Sequence, residues 1–303
     1  MNCDESVWKD SSPNCSAAPT HIHPNEMKST NIKESLVTGK RNQETCEDGI
    51  VATTDHVAVI DGSTSKAAHP LCSTMSNGRL AMTLVKEVVA SLPFDATVAD
   101  FCQKVTQRIR SEYARHGMTR ERLEAHPEER LTASVGVFSL YHSEVWLVGD
   151  CQCLHEGMLY DNPKPEEASI AERRSQIAHE LLASRATTVA SLREHDIARD
   201  AIVNLIVESC HRQNIDFSVV DGFDIPLDKV KVIPVSSTSD IVLATDGYPF
   251  LRPTLAESET ALANLIANDP LCISLYKATK GVLAGNASFD DRSYVRFCTF
   301  LSE

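Results

Sequence analysis

Aspartates that lie next to apolar segments are the residues of this sequence that could do chemistry together. Three of them follow short apolar runs: VAVI precedes Asp61, VWLVG precedes Asp150, and IVLAT precedes Asp246. A fourth, Asp290, instead precedes the β-rich run SYVRFCTFL. Because a strand fixes the direction of the chain, a carboxylate at its end is held at the rim of a sheet. Glycine follows two of these aspartates and leaves room for a close backbone approach.

Four such strand ends meeting in one cleft would form a metal site. Clustered carboxylates repel one another and need a cation nearby. Hard oxygen ligands favour Mg²⁺ or Mn²⁺ over zinc. Asp-Gly is also a common turn, so the same junctions could arise in a β-rich protein that binds no metal. The pattern alone leaves both interpretations open.

The first half of the chain has the periodicity of strands and helices that could position these aspartates. The segment IVATTDHVAVIDG predicts two short strands joined at Thr54-Asp55. Residues 78–92 and 97–115 have apolar positions at helical spacing, and Thr97 with Asp100 forms a variant of the capping box. The apolar runs 135–140 and 145–148 predict a hairpin, and CQCLHEGMLYD predicts a further strand pair.

The second half begins with a change in character. Residues 165–213 are charged and helix-like, which predicts two helices meeting near Thr187–Arg193. Strand patterns return in FSVVDG, KVKVIPV and DIVLATDG. A capping box at Thr254 predicts a helix over 255–267, and a second helix is expected from Pro270 to Lys280. This order favours an α+β layered fold with antiparallel sheets over regular βαβ winding.

Composition excludes several classes of function. The 303 residues carry a net charge of −13, and an acidic surface repels nucleic acid. No run approaches the ~20 apolar residues that cross a bilayer, and the first residues do not form a secretory signal. The ten cysteines lack repeated zinc-site spacing, so we expect a soluble cytoplasmic protein with free thiols and no membrane partner. Residues 1–35 are rich in Ser, Pro and Asn and predict a flexible extension.

Four segments together resemble the metal-dependent type 2C protein phosphatase superfamily. In chain order they are NQETCEDGIVATTDHVAVIDG, TASVGVFSLYHSEVWLVGDCQ, IVLATDGYP and SFDDRSYVRF. They cover residues 36–303, with a helical insertion around 165–213. The resemblance implies a four-layer α/β/β/α sandwich, in which two packed antiparallel sheets have helices on both outer faces.

The resemblance also implies a ligand set for two ions of Mn²⁺ or Mg²⁺. Asp61 would bridge both ions, with the carbonyl of Gly62 as a further ligand. Asp246 and Asp290 would complete the shell of the first ion. Glu47 would reach the second ion directly or through water.

Three further acidic residues have supporting roles by the same resemblance. Asp48 would orient the metal-bound water, Asp150 would help to hold a third, weaker ion, and Asp291 would support the shell. Two ions can lower the pKa of a bridging water toward neutrality and neutralise the phosphoryl oxygens. Asp61 and Asp48 are therefore the expected catalytic residues of a hydrolase that needs no covalent phospho-enzyme.

The segments that would grip the substrate depart from the family. Ser63–Lys66 stands where a Gly-rich run with a histidine is usual, and only Lys66 there could neutralise phosphate. A phosphate-binding arginine is expected before the acidic pair; Arg41 is the best candidate, with Lys40 as the alternative. The stretch 155–235 lacks the family's Asp-His and Arg-containing signatures.

The sequence therefore predicts a Mg²⁺- or Mn²⁺-dependent hydrolase of phosphate monoesters. Its substrate would be a phosphoserine or phosphothreonine protein or a small phosphorylated molecule. The alternative is a catalytically weak, phosphatase-like binding or regulatory module. The changed loop at Ser63–Lys66 favours this alternative, and the retained carboxylates oppose it.

Overall fold

Two antiparallel five-stranded sheets form the centre of the molecule. The structure is a computed structural model that describes residues 27–67, 70–236 and 240–302. The strands are β1 Met27–Thr38, β2 Asp48–Ala52, β3 His56–Gly62, β4 Ala133–Ser139, β5 Glu144–Val148, β6 Gln152–His155, β7 Met158–Tyr160, β8 Lys231–Pro234, β9 Asp240–Ala244 and β10 Arg292–Ser302. One sheet has the order β1-β10-β9-β6-β7 and the other β2-β3-β4-β5-β8.

Helices cover both outer faces of this pair of sheets. They are α1 Asn77–Ala90, α2 Val98–Arg115, α3 Arg120–Ala125, α4 Glu167–Ala183, α5 Val189–Glu194, α6 Ile197–Asp200, α7 Val203–Cys210 and α8 Leu255–Asn268. α1 and α2 pack on the β2–β8 sheet, and α8 lies beside β1 on the other. No helix among the described residues is both long and apolar enough to cross a membrane.

The alternation of side chains in β3 shows why the layers form. Ala58 and Ile60 point into the core shared with α1 and α2. Val57 and Val59 point the other way, into the core between the sheets, where Phe297 of β10 also lies. Because a strand presents successive side chains to opposite faces, a strand buried on both faces needs an unbroken apolar run. The predicted α/β/β/α sandwich is confirmed.

The capped helices follow the sequence prediction closely. Thr97 and Asp100 form the predicted capping box at α2, and Thr254 and Glu257 form the one at α8. Both boxes satisfy backbone N–H groups that the first helical turn leaves without partners. The two-strand and hairpin predictions for β2–β3 and β4–β5 are also confirmed.

The insertion and the chain start differ from the prediction. Residues 165–213 form four helices, α4 to α7, instead of two. FSVVDG forms two isolated bridges instead of a strand: Phe217 pairs with Gln213 and Val220 pairs with Ala133. β1 begins at Met27, inside the segment 1–35 that was predicted as a flexible extension, and pairs along β10. Residues 1–26 lie outside the described residues, so the extension stays a prediction there.

The helix predicted from Pro270 to Lys280 is wrong, because side chains satisfy the backbone there. The carboxylate of Asp269 accepts hydrogen bonds from the N–H groups of Ile273, Ser274 and Leu275 at 2.8–3.1 Å. The buried Arg174 guanidinium donates to three carbonyl groups of the same loop, those of Leu271, Cys272 and Ala278. These bonds replace the helical pattern and fix the loop against α4.

Candidate functional site

Strand pairing places two of the predicted carboxylates side by side. Asp48, at the start of β2, is the direct cross-strand partner of Asp61 near the end of β3. Thr245, which follows β9 in the other sheet, donates from Oγ1 to Asp48 Oδ2 at 2.6 Å. Asp246 is the next residue, and Asp290 lies just before the neighbouring β10. The strand ends of both sheets therefore meet at one edge of the sandwich.

The charges of these carboxylates act on one another. Burial raises the pKa of Asp61 well above its usual range, and the charges of Asp246, Asp48 and Asp290 raise it further. Burial, followed by the charges of Asp290 and Asp150, raises the pKa of Asp246 to about 7. The pKa of Asp48 is also raised, chiefly by burial. Like charges this close disfavour the ionised state of one another.

Two members of the cluster are neutralised by lysines. Burial alone would raise the pKa of Asp290, but Lys280 and Lys40 outweigh it and lower the pKa to about 2. Lys40 Nζ lies 3.2 Å from Asp290 Oδ1, and Lys280 also contacts this carboxylate. Asp150 is buried as well, and Lys164 Nζ, 2.5 Å from its Oδ2, holds its pKa below the usual range.

Hydrogen bonds hold the side chain of Glu47 at the same edge of the sandwich. Its two carboxylate oxygens accept from Thr64 Oγ1 at 2.5 Å and from Ser76 Oγ at 2.6 Å. The Asp291 carboxylate accepts from the N–H groups of Lys40 at 2.7 Å and Glu47 at 3.0 Å. Asp291 thus holds the segment that carries Glu47.

Gly62 allows the first turn of α1 to approach the cluster. A Cβ atom at Gly62 would lie 2.1 Å from the carbonyl oxygen of Gly78, and one at Gly78 would lie 2.6 Å from Glu47 Oε1. The N–H of Gly62 also donates to the carbonyl of Glu47 at 3.0 Å. Larger residues at either glycine would therefore displace the chain that presents Glu47.

A carboxylate that the sequence did not indicate joins the cluster from the insertion. Oxygen atoms of Glu167, Asp150 and Asp246 all lie within 4.8 Å of one another. Glu167 is the first residue of α4 and belongs to the segment NPKPEEAS. No local pattern marks it, because only the packing of α4 brings it to the edge of the sandwich.

A cleft of about 500 Å³ opens over the carboxylates, between the sheets and the insertion. Asp61, Gly62, Asp246 and Asp290 line it. Its positive residues come from several elements: Lys66, Arg130, Lys164, Arg199, Arg212, Lys277 and Lys280. Burial, together with the nearby Arg199 and Lys280, lowers the pKa of Lys66 to about 8.

The three candidates for binding phosphate, Lys66, Arg41 and Lys40, lie in different surroundings. Lys66 lines the cleft, as a substrate-binding residue would. Arg41 is exposed and is not among the cleft-lining residues that the structure describes. Lys40, the alternative, contacts Asp290 and Asp291 and lies 3.4 Å from Thr64 Oγ1. The chain thus brings Lys40, and not Arg41, to the carboxylates.

The donor set fits a pair of hard divalent cations. The cluster offers carboxylate oxygens from both sheets, and these outnumber the three lysines that contact them. Asp246 Oδ1 is buried and has no hydrogen-bond partner among the residues that the structure covers. A buried, unpaired carboxylate oxygen costs free energy unless a cation or a proton binds it. Oxygen donors of this kind are those that Mg²⁺ and Mn²⁺ prefer.

Without divalent metal, the protein is expected to become more stable as the pH falls from 8 to 5.5. Folded Asp246, with its pKa near 7, binds a proton in this window, whereas an unfolded aspartate with a pKa near 3.9 does not. The free energy of unfolding should therefore rise by on the order of 1 kcal/mol per pH unit below 7. Melting temperatures in chelator, compared with those of Asp246→Asn, isolate the part of the pH dependence that requires the Asp246 carboxyl group.

Saturating Mn²⁺ should reverse the trend, since metal ligands must be ionised. Asp228→Asn, at an exposed position, is the matched control and should keep the wild-type profile. Equal pH profiles for the wild type and Asp246→Asn in chelator would contradict the coupling of Asp246 to the cluster.

Comparison with known proteins gives structural matches alone. No protein-family model matches the sequence, and no curated protein does. Solved structures similar to this chain are serine/threonine phosphatases. The PstP catalytic domain in complex with two manganese ions is 14% identical, covering 91% of this chain and 100% of that one at a TM-score of 0.43. PstP from Mycobacterium tuberculosis is 15% identical to this chain; the match covers 89% of this chain and 98% of PstP, with a TM-score of 0.43. Stp1 from Staphylococcus aureus is 11% identical; the match covers 93% of this chain and 98% of Stp1, also with a TM-score of 0.43.

These solved structures are of the class of phosphatases that the four motifs resemble. Structural similarity at these TM-scores does not indicate the chemistry of this chain. The function is therefore inferred from the carboxylates and cations of the cleft itself.

Proposed function

We propose that this chain is a metal-dependent hydrolase of phosphate monoesters. The observation that carries the proposal is the convergence of Asp61, Asp246 and Asp290 from strand ends of both sheets on one cleft. Burial, followed by the charges of neighbouring aspartates, raises the pKa values of Asp61 and Asp246, and neither carboxylate forms an ion pair within the part of the chain that the structure describes. Lys66 and Arg199 line the same cleft, and their positive charge would favour a phosphoryl anion beside bound metal.

Two divalent ions would be held by oxygen ligands from the cluster: Glu47, Asp61, the Gly62 carbonyl, Asp246 and Asp290. Asp150, with Glu167 and Asp246, would hold a third, weaker ion. When bound, such ions lower the pKa of a coordinated water and neutralise phosphoryl oxygens. Mn²⁺ is a reasonable first choice, because the similar PstP domain is described in complex with two manganese ions.

The protein's own residues then have distinct tasks. Thr245 donates to Asp48 Oδ2, so Asp48 Oδ1 remains available to accept a proton from the attacking water. The raised pKa of Asp48 improves it as a base, since a carboxylate at its ordinary pKa holds a proton too weakly near neutrality. Lys66 is protonated at pH 7 and contributes positive charge to the wall that faces the substrate.

The substrate proposed for this site is a phosphorylated serine or threonine of a protein, or a small phosphorylated molecule. Both carry the dianionic monoester that the cleft would bind. We propose a reducing, cytoplasmic setting for this activity, because the eight cysteines that the structure describes carry free thiols.

Hydrolysis of an aryl phosphate with and without metal tests the proposal. Turnover is expected with Mn²⁺ or Mg²⁺, and chelator should lower it by at least about a hundredfold because metal activation of water is worth several kcal/mol. Readdition of metal should restore the rate. Turnover that chelator leaves unchanged would rule out the proposed chemistry.

One observation favours the alternative of a catalytically weak binding module. Lys40 and Lys280 already pair with Asp290, and Lys164 pairs with Asp150, so part of the cluster is neutralised without metal. A protein of this kind would bind phosphorylated partners or metal without turnover. Metal binding with no hydrolysis of any aryl phosphate or phosphopeptide would favour the module over the enzyme.

A further inference from the structure

Two cationic side chains that line the cleft, Lys66 and Arg199, differ from the others in the groups that they bind. Lys40, Lys164 and Lys280 each form an ion pair with an aspartate of the cluster. In the described part of the chain, Lys66 and Arg199 form no ion pair with any carboxylate. Lys66 Nζ donates to the carbonyl of Thr64, and Arg199 Nη1 donates to the carbonyl of Thr279 at 2.5 Å. Both side chains are partly buried and line the cleft.

These two cations lie close enough to repel each other. Burial lowers the pKa of Lys66, and Arg199 is the next largest cause. The pKa of Arg199 is lowered as well, first by burial. Holding two positive charges together in a partly desolvated cleft is unfavourable, and an anion bound between them would relieve the repulsion.

The position of Arg199 and the geometry of its guanidinium group indicate the chemical class of the bound anion. Among the charges that act on Arg199, that of Asp290 is the strongest, and both residues line the same cleft. A guanidinium has five N–H donors in a fork that matches phosphoryl oxygens, and among the described residues its only acceptor is the Thr279 carbonyl, bound by Nη1. An anion held by Arg199 would therefore lie in the same cleft as the carboxylate cluster.

We infer that Arg199, together with Lys66, binds the phosphoryl group of the substrate. The helical insertion thereby supplies, from α6, the phosphate-binding arginine that the sequence predicted at Arg41. This inference rests on the proposed phosphatase function. It also gives the insertion a task, since its packing brings a cation into the cleft that the carboxylates line.

Variants of the full-length chain test the role of Arg199 in Mn²⁺ buffer. Arg199→Gln should weaken competitive inhibition by inorganic phosphate by about 10- to 100-fold, because charge-assisted hydrogen bonds contribute about 1.5–3 kcal/mol. KM for an aryl phosphate should rise by a similar factor. Arg199→Lys should recover part of the loss, since it restores the charge without the fork.

Arg212→Gln is the matched control. Arg212 lines the same cleft, but its Nη2 lies 2.5 Å from Asp216, so it has a carboxylate partner. Its removal should leave phosphate inhibition within about twofold of the wild type. If Arg199→Gln does not fold, Lys66→Met and Arg199→Lys provide the same comparison.

Direct calorimetric binding of inorganic phosphate separates this inference from the proposed function. Phosphate binding that depends on Arg199, in a protein without turnover, would support the inference and reject the phosphatase. Turnover with phosphate inhibition unchanged in Arg199→Gln would overturn the inference alone. A wild type that neither binds phosphate nor hydrolyses the ester would overturn both.

Discussion

An Asp61→Asn variant is expected to lose at least about a thousandfold in kcat/KM for an aryl phosphate while keeping its fold. Asp61 lies at the centre of the cluster, where four other aspartates act on its charge. Asparagine has the same shape but no charge, so it would hold a shared divalent ion far less well. A thousandfold loss corresponds to about 4 kcal/mol of transition-state stabilisation, a reasonable share for metal activation.

Stability measured in chelator distinguishes this loss from simple unfolding. Removing a buried charge from a mutually repelling cluster should leave metal-free Asp61→Asn at least as stable as the wild type. Stabilisation by Mn²⁺, visible as a rise in melting temperature, should be largely lost. Asp228→Asn again serves as the exposed control and should retain activity. Activity of Asp61→Asn within tenfold of the wild type would contradict the assigned role.

Replacement of Arg174 by Met should cost about 3–5 kcal/mol of folding free energy, which is the largest effect on stability that we expect. Arg174 is 1% exposed and binds Asp196 through Nε at 3.0 Å and Nη2 at 2.6 Å. It also donates to three carbonyl groups of the loop after α8. Its removal leaves a buried aspartate without a counter-charge, the change that makes broken buried ion pairs costly.

Urea unfolding of a small set of variants tests this prediction. Arg212→Met breaks an exposed i,i+4 pair with Asp216 and should cost less than about 1 kcal/mol. The double variant Arg174→Met/Asp196→Leu should be more stable than Arg174→Met, since it removes the unpaired charge. A loss in Arg174→Met no larger than that in Arg212→Met would show that the buried pair contributes little.

The contacts of Arg174 also position residues of the cleft. Asp196, which it binds, accepts from the N–H of Arg199 at 3.0 Å and so caps α6. The same guanidinium fixes the loop that precedes Lys280. Variants of Arg174 that still fold should therefore weaken phosphate binding as well, although Arg174 itself does not line the cleft.

The carboxylates at the edge of the sandwich could be predicted from sequence, because residues close by in the chain fix the strands that carry them. Alternation and apolar runs locate β3 and β9. Asp61, the second-to-last residue of β3, and Asp246, two residues after the end of β9, are then placed at a sheet end. The same holds for α2 and α8, whose capping boxes satisfy their own first turns. In each case the residues that fix the element are within a few positions of it.

The insertion and its cleft residues could not be predicted, because distant contacts determine them. Pro270 is a reasonable helix start, yet Arg174, 98 positions before Cys272, binds the carbonyl groups that a helix would use. Glu167 and Arg199 reach the cluster only through the packing of α4 and α6. β1 was assigned in part to an extension because its polar residues pair with β10 at a sheet edge and give little apolar periodicity.

Anomalous diffraction from crystals soaked in Mn²⁺ tests the central claim most directly. The proposal predicts at least two peaks at the edge of the sandwich, bounded by the carboxylates of Asp61, Asp246 and Asp290. Asp61→Asn crystals treated identically should lose at least one of them. The absence of any peak in the wild-type cleft at saturating Mn²⁺ would contradict the account.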